Sequence, residues 1–189
     1  MSHRPRIYLA GPEVFLPDAL AVGQAKVALC AAHDCEGIFP LDASLDLTGL
    51  KKHEAAARIS AANEGLMRTC DALVANLTPF RGVSMDSGTA FEVGFMRALG
   101  RPVFGYSNVA GDYKRRADAY RALRIGLPDA DAPDTEVEDF GLEENLMIAV
   151  AIVESGGSMV ARAAPAGQEM RDLAGFEACL LQVQRVLGA

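Results

Sequence analysis

The sequence predicts a single α/β domain, doubly wound, with a mostly parallel sheet flanked by helices. Short apolar runs alternate with longer stretches of helical period, the order that builds βαβ units. Half of the 189 residues are hydrophobic, enough for one sizeable core, and no linker or internal repeat divides the chain. Residues 1–189 are therefore read as one domain.

Ile7-Tyr8-Leu9-Ala10 reads as a buried first strand, stopped by Gly11-Pro12. Residues 17–32 are alanine-rich and predict a helix with Pro17 in its first turn. Gly37-Ile38-Phe39-Pro40 is a brief second strand, and residues 50–69 form a long helix. Ala55, Ile59, Ala62 and Leu66 line one side of that helix, opposite Lys51, Lys52 and Arg58. A third strand at 71–77 ends at Thr78-Pro79. The next helix, 87–99, closes on Gly100 with Pro102 just beyond, and 102–106 is a fourth strand. Residues 107–139 are polar and rich in Asp and Pro; apart from a short helix at 113–123 they are expected to be the most mobile part. Helices at 142–153 and 168–187 and a fifth strand at 158–161 complete the chain.

Composition narrows the function classes. The formal charge is −7, from 18 basic and 25 acidic side chains. The densest basic run, Lys114-Arg115-Arg116, is flanked by Asp112 and Asp118, so there is no basic stripe for a nucleic-acid polymer or a membrane surface. The four cysteines form no C-x-x-C pair. The first apolar run has only four residues, too short for a secretory leader, and no run approaches a membrane span. A cytoplasmic location is expected.

In a doubly wound sheet, ligands bind beyond the carboxyl ends of the strands, which directs attention to the loops after Ala10, Leu77 and Tyr106. The loop Gly11-Pro12-Glu13-Val14-Phe15 lacks G-x-G-x-x-G, and no phosphate-cradling G-x-x-x-x-G-K-[ST] occurs. His53-Glu54 does not continue into a zinc motif. Cys30-x4-Cys35 has no second ligand pair, so no metal is expected.

What remains is a set of carboxylates. Asp86 and Ser87 stand where an N-cap and first helical turn belong. Glu92 is about one and a half turns further on, with Phe91, Phe95, Met96 and Leu99 at helical spacing. It therefore lies at the border of an apolar face, where a carboxylate is costly without a use or a partner. Gly88 and Gly94 each cost about 1 kcal/mol against alanine inside a helix and suggest close approach of backbone or ligand. Judged by residues alone, Asp71 also reads as a solvated turn residue and Tyr8 as core.

Four segments in order change that balance. They are Tyr8-Leu9-Ala10-Gly11-Pro12, Cys70-Asp71-Ala72-Leu73-Val74-Ala75-Asn76-Leu77, Asp86-Ser87-Gly88-Thr89-Ala90-Phe91-Glu92-Val93-Gly94 and Glu144-Asn145-Leu146-Met147-Ile148. Together they resemble the nucleoside 2-deoxyribosyltransferase family, over about residues 6–153. The resemblance implies a flavodoxin-like domain that exchanges the base on a 2′-deoxynucleoside and needs no cofactor. It implies that Glu92 is the nucleophile, Tyr8 its orienting residue and Asp71 the acid near the leaving base. Substrate contacts would fall to Asp86, Gly11, Gly88 and Asn145, the last reaching a neighbouring subunit's site in a homo-oligomer.

The chemistry is coherent. The bond from C1′ to the base breaks through an oxocarbenium-like state, which a carboxylate stabilises and then traps, while a second group protonates the leaving base. The partners are a deoxynucleoside and a free nucleobase, bound in a pocket shaped by loops 13–20 and 40–50. Two other readings compete: hydrolysis of 2′-deoxynucleoside 5′-monophosphates, and a non-catalytic nucleoside-binding module. Monophosphate hydrolases resemble this chain but carry serine where Asp86 stands, and an aspartate would repel the phosphate.

Overall fold

The structure, a computed structural model, describes residues 4–188 apart from 41–44, 127, 131 and 133. Strands β1 (Arg6–Ala10), β2 (Glu36–Ile38), β3 (Ala72–Asn76), β4 (Val103–Ser107) and β5 (Met159–Ala161) pair in the order β2-β1-β3-β4-β5. Every pairing is parallel, so the mostly parallel sheet of the sequence reading is parallel throughout. The order is the flavodoxin-like one, with its switch point between β1 and β3.

The strands are short and apolar because both faces of the sheet are covered. Successive residues of β1 point to opposite faces. Ile7 and Leu9 join a core with Cys30 of α1 (Ala19–Ala32) and Phe176, Leu180 and Val183 of α6 (Ala174–Leu187). Tyr8 and Ala10 join the other core, with Met67 of α2 (Lys52–Arg68), Val93 and Met96 of α3 (Ser87–Ala98) and Ile152 of α5 (Leu146–Glu154). The register sets Tyr8 beside Leu73 and Ala10 beside Ala75, so β1 and β3 end together.

Helix boundaries depart from the sequence reading where side chains divert the backbone. Pro12–Phe15 forms a 3-10 turn and Asp18 takes the cap position, so α1 starts at Ala19 rather than 17. Asn145 caps α5, its Oδ1 accepting from the Met147 N–H at 3.0 Å, and residues 142–145 stay outside the helix. Asn108 draws the carbonyls of Glu169 and Asp172 to its amide at 2.8 Å each, which keeps 168–173 out of α6. Within 107–139 lies α4 (Tyr113–Ala122), anchored by Arg116, which donates to the carbonyls of Val83, Gly111 and Glu143. The face of α2 expected to pack is only half-covered: Ile59 is 41% exposed, and Met67 is the one residue of the helix that is buried. Among the described residues, no helix is long and apolar enough to cross a membrane. Part of loop 40–50 lies outside the described residues.

Candidate active site

Tyr8 is the third residue of β1, on the face covered by α3, and its whole side chain is buried. Its Oη donates to Oε1 of Glu92 at 2.7 Å. Glu92 stands on the margin of α3: Val93 and Met96 turn into the core, while Phe91 is 56% exposed and packs on Phe95, ring centroids 5.8 Å apart. A cleft of about 390 Å³ opens beside it, walled by Ile59, Ser60, Asn63, Glu64 and Met67 of α2 and by Gly88 and Phe91 of α3. That size is in the range of small-ligand sites. Burial pushes the Glu92 carboxyl up to about 7; the hydrogen bond from Tyr8 works the other way, and the charges of Asp86 and Glu13 add to the rise. Burial, and then the Glu92 charge, hold the Tyr8 phenol well above its ordinary range, so it is a hydrogen-bond donor only.

Asp86 is the N-cap of α3. Its Oδ2 accepts from the N–H groups of Gly88 (3.0 Å) and Thr89 (3.3 Å). Capping and ligand binding are compatible here, because one oxygen serves both amides. A Cβ on Gly88 would come within 2.9 Å of that oxygen, which is why glycine suits the first turn. Gly94 meets nothing within 4 Å, so the close approach expected there is not seen within the chain.

Gly11 follows β1 directly. A Cβ there would lie 1.9 Å from Oε2 of Glu13 and 3.0 Å from Cβ of Asn76, so the absent side chain makes room for a buried carboxylate. Asp71 is not brought to the cleft. It precedes β3 at the amino edge of the sheet, where its Oδ2 accepts from the Arg6 N–H at 2.9 Å and its own N–H donates to the Arg6 carbonyl. Asn145 is committed within its own chain as well: besides capping α5, its Nδ2 donates to Glu138 at 2.7 Å. A sequence model of nucleoside 2-deoxyribosyltransferases matches residues 7–147, which spans β1 through the start of α5. The chain belongs to the nucleoside 2-deoxyribosyltransferase family.

One similar solved structure agrees with that assignment. The chain is 33% identical to a solved 2-desoxiribosyltransferase from Leishmania mexicana, covering 76% of this chain and 85% of the other at a TM-score of 0.56. It shares its fold, at 20% identity and a TM-score of 0.56, with a conserved protein from Enterococcus faecalis V583, covering 97% and 99% of the two chains. It is 32% identical over 124 residues to the uncharacterised protein C191.05c of Schizosaccharomyces pombe; the match covers 65% of this chain and 59% of that protein.

Within this deoxyribosyltransferase-family fold, two groups of residues escaped the sequence reading. The first is the α2 wall, where Ser60, Asn63 and Glu64 supply the polar groups across from Glu92. Their spacing along one helix was legible, but not which face would meet α3. The second is the cluster around Glu13. Lys26 sits on the buried stripe of α1 with Ala19, Val22, Gly23 and Cys30, and Glu13 is its partner. A lysine on an apolar stripe demands an acid, and that was the available signal. The site as built holds the half-buried carboxylate of Glu92 with the Tyr8 hydroxyl bound to it, a second half-buried carboxylate in Glu64 across the cleft, and the capping Asp86.

Proposed function

We propose that this protein exchanges the base of a 2′-deoxynucleoside by retaining double displacement, with Glu92 as the nucleophile. The observation that carries the reading is the 2.7 Å hydrogen bond from Tyr8 to Oε1 of a carboxylate that lines the cleft between α2 and α3. Tyr8 holds one oxygen, and the other attacks C1′ as the bond from C1′ to the base nitrogen breaks. The bonding pair leaves with the base, which takes up a proton from the Glu64 carboxyl, and that group takes back the proton the acceptor base sheds in the second step. An acceptor base then attacks C1′ through its nitrogen, the ester to Glu92 breaks, and the configuration is restored.

Asp71 is left out of this scheme because it lies at the wrong edge of the sheet. The groups that meet the base are those of the α2 wall: the Asn63 amide as a hydrogen-bonding partner, and the Glu64 carboxyl beside it. Asp86 keeps Oδ1 for the sugar 5′-hydroxyl while Oδ2 caps α3. Its charge disfavours a 5′-phosphate, which supports exchange on free nucleosides over hydrolysis of monophosphates. A homo-oligomer is the expected assembly. The exposed Met147, Val150 and Val153 on α5 support it, and light scattering tests it.

Incubation with deoxyinosine and adenine should yield deoxyadenosine. Mass spectrometry of acid-quenched protein should then find a deoxyribosyl adduct on the peptide carrying Glu92. Glu92→Ala should lose the adduct and several orders of magnitude of turnover. Retention of more than a tenth of the activity would remove Glu92 from the role.

A further inference from the structure

Glu144 has no part in the exchange scheme, yet it is 1% exposed and sits just ahead of the Asn145 cap of α5. Its Oε1 accepts from Ser84 Oγ at 2.7 Å and from the Asn145 N–H at 2.9 Å, and its Oε2 pairs with Arg116 of α4 at 3.4 Å. Arg116, also well covered, donates through Nε to the Val83 carbonyl at 2.9 Å. Both members of the ion pair therefore grip neighbouring residues of one loop, the one that runs from β3 to the cap of α3.

That loop ends on Asp86, two residues beyond Ser84. Between them Met85 is buried in the core with Val93 and Met96 of α3. On the outer limb, the Phe80 N–H donates to the Ser84 carbonyl at 2.9 Å, and Arg81, in the left-handed region at φ 58°, lies over the rings of Phe80 and Phe15. Residues 83, 84 and 85 are thus each held from outside the loop, immediately before the backbone enters the cap. A desolvated ion pair adds little stability in itself, but its charge-assisted hydrogen bonds fix geometry. Capping engages only Oδ2 of Asp86, so the direction of Oδ1 follows from the backbone that leads into the cap.

We propose that Glu144 is a positioning residue for the sugar: paired with Arg116, it holds Ser84 and thereby aims Oδ1 of Asp86 at the 5′-hydroxyl of the nucleoside. This rests on Asp86 being the 5′-hydroxyl contact. Glu144 acts through Ser84 and the two peptide bonds beyond it, while the hydrogen bond from Tyr8 to Glu92 is made by other elements. Loosening the clamp therefore misplaces one acceptor and leaves the nucleophile seated. A displacement of about 1 Å at a substrate contact can cost on the order of 100-fold in rate, so a partial loosening is measurable. The loss falls on substrates that carry a 5′-hydroxyl. A clamp that only ties α4 to α5 would lower all substrates alike.

The test compares kcat/KM for 2′-deoxyadenosine and 2′,5′-dideoxyadenosine, with hypoxanthine as the acceptor. The wild-type chain should favour the 5′-hydroxyl by about tenfold or more, and Asp86→Ser, which keeps a cap, should lose most of that preference. Ser84→Ala, which removes the hydroxyl, and Glu144→Gln, which breaks the pairing with Arg116, should each lower the preference about 3- to 10-fold. In the Asp86→Ser background neither should lower it further by more than about twofold, because both act through Asp86. Thermal melts verify folding, and if Glu144→Gln does not fold, Ser84→Ala decides. An unmoved preference in either folded variant overturns the proposal, and so does an undiminished loss in the Asp86→Ser background. Failure of both variants to fold assigns the cluster to stability and overturns it too. An unmoved preference in Asp86→Ser instead defeats the reading of Asp86 itself, and this proposal with it.

Discussion

Replacing Glu92 with glutamine should make the protein more stable at alkaline pH while abolishing exchange. The carboxyl is raised from its ordinary 4.5 to about 7, chiefly by burial. A group raised in the folded state contributes stability that is complete below the unfolded value and is lost as pH climbs through the folded one. Ionised Glu92 is therefore a liability above about pH 7, worth up to about 3 kcal/mol for the full shift and less by the portion of the carboxylate that the cleft leaves wet. Glutamine mimics the protonated form and keeps an oxygen to accept from Tyr8. Thermal and urea melts of both proteins at pH 4.5 and 8.5 measure the effect. The expected result is near-equality at pH 4.5 and a gain for the variant at pH 8.5 of roughly 3–10 °C, at about 2–4 °C per kcal/mol for a chain of this size. An equal difference at both pH values would refute the link between burial and the raised carboxyl.

Other perturbations probe the neighbouring parts. Tyr8→Phe removes the one contact that lowers Glu92, so the acid limb of kcat/KM should move to higher pH and the rate should fall about 10- to 100-fold at pH 7. Gly11→Ala drives a Cβ into Oε2 of Glu13 and should cost about 2–4 kcal/mol in a urea melt; wild-type stability would mean the turn simply moves aside. Asp86→Ser keeps a good N-cap, so stability should change by less than about 1 kcal/mol, while deoxyinosine monophosphate should gain relative to deoxyinosine in parallel rate measurements. An unchanged ratio would make Asp86 a cap and nothing more.

The sequence by itself determined the alternation of elements, the parallel sheet and the family. These rest on local periodicity and on motifs a few residues long, and both survive without knowledge of packing. The resemblance, not periodicity, paired Tyr8 with Glu92; in the structure β1 and α3 bring the two together on one face of the sheet. The role of Asp86 as a cap was legible because capping is a matter of three consecutive residues.

Tertiary structure alone decided the rest. Asp71 and Asn76 bracket the same five-residue strand, yet they lie at opposite edges of a parallel sheet, and only the carboxyl edge meets the ligand loops. The contacts that Asn145 makes within its own chain, with the Met147 N–H and with Glu138, depend on where residues 138 and 145 are brought together by packing. Lys26 and Glu13 are separated by the 3-10 turn and half of α1, so their pairing depends on how the turn folds back over the sheet. In each case the deciding quantity is where a side chain points after packing. Periodicity assigns a residue to a face of its own element and says nothing of what the neighbouring element sets against that face.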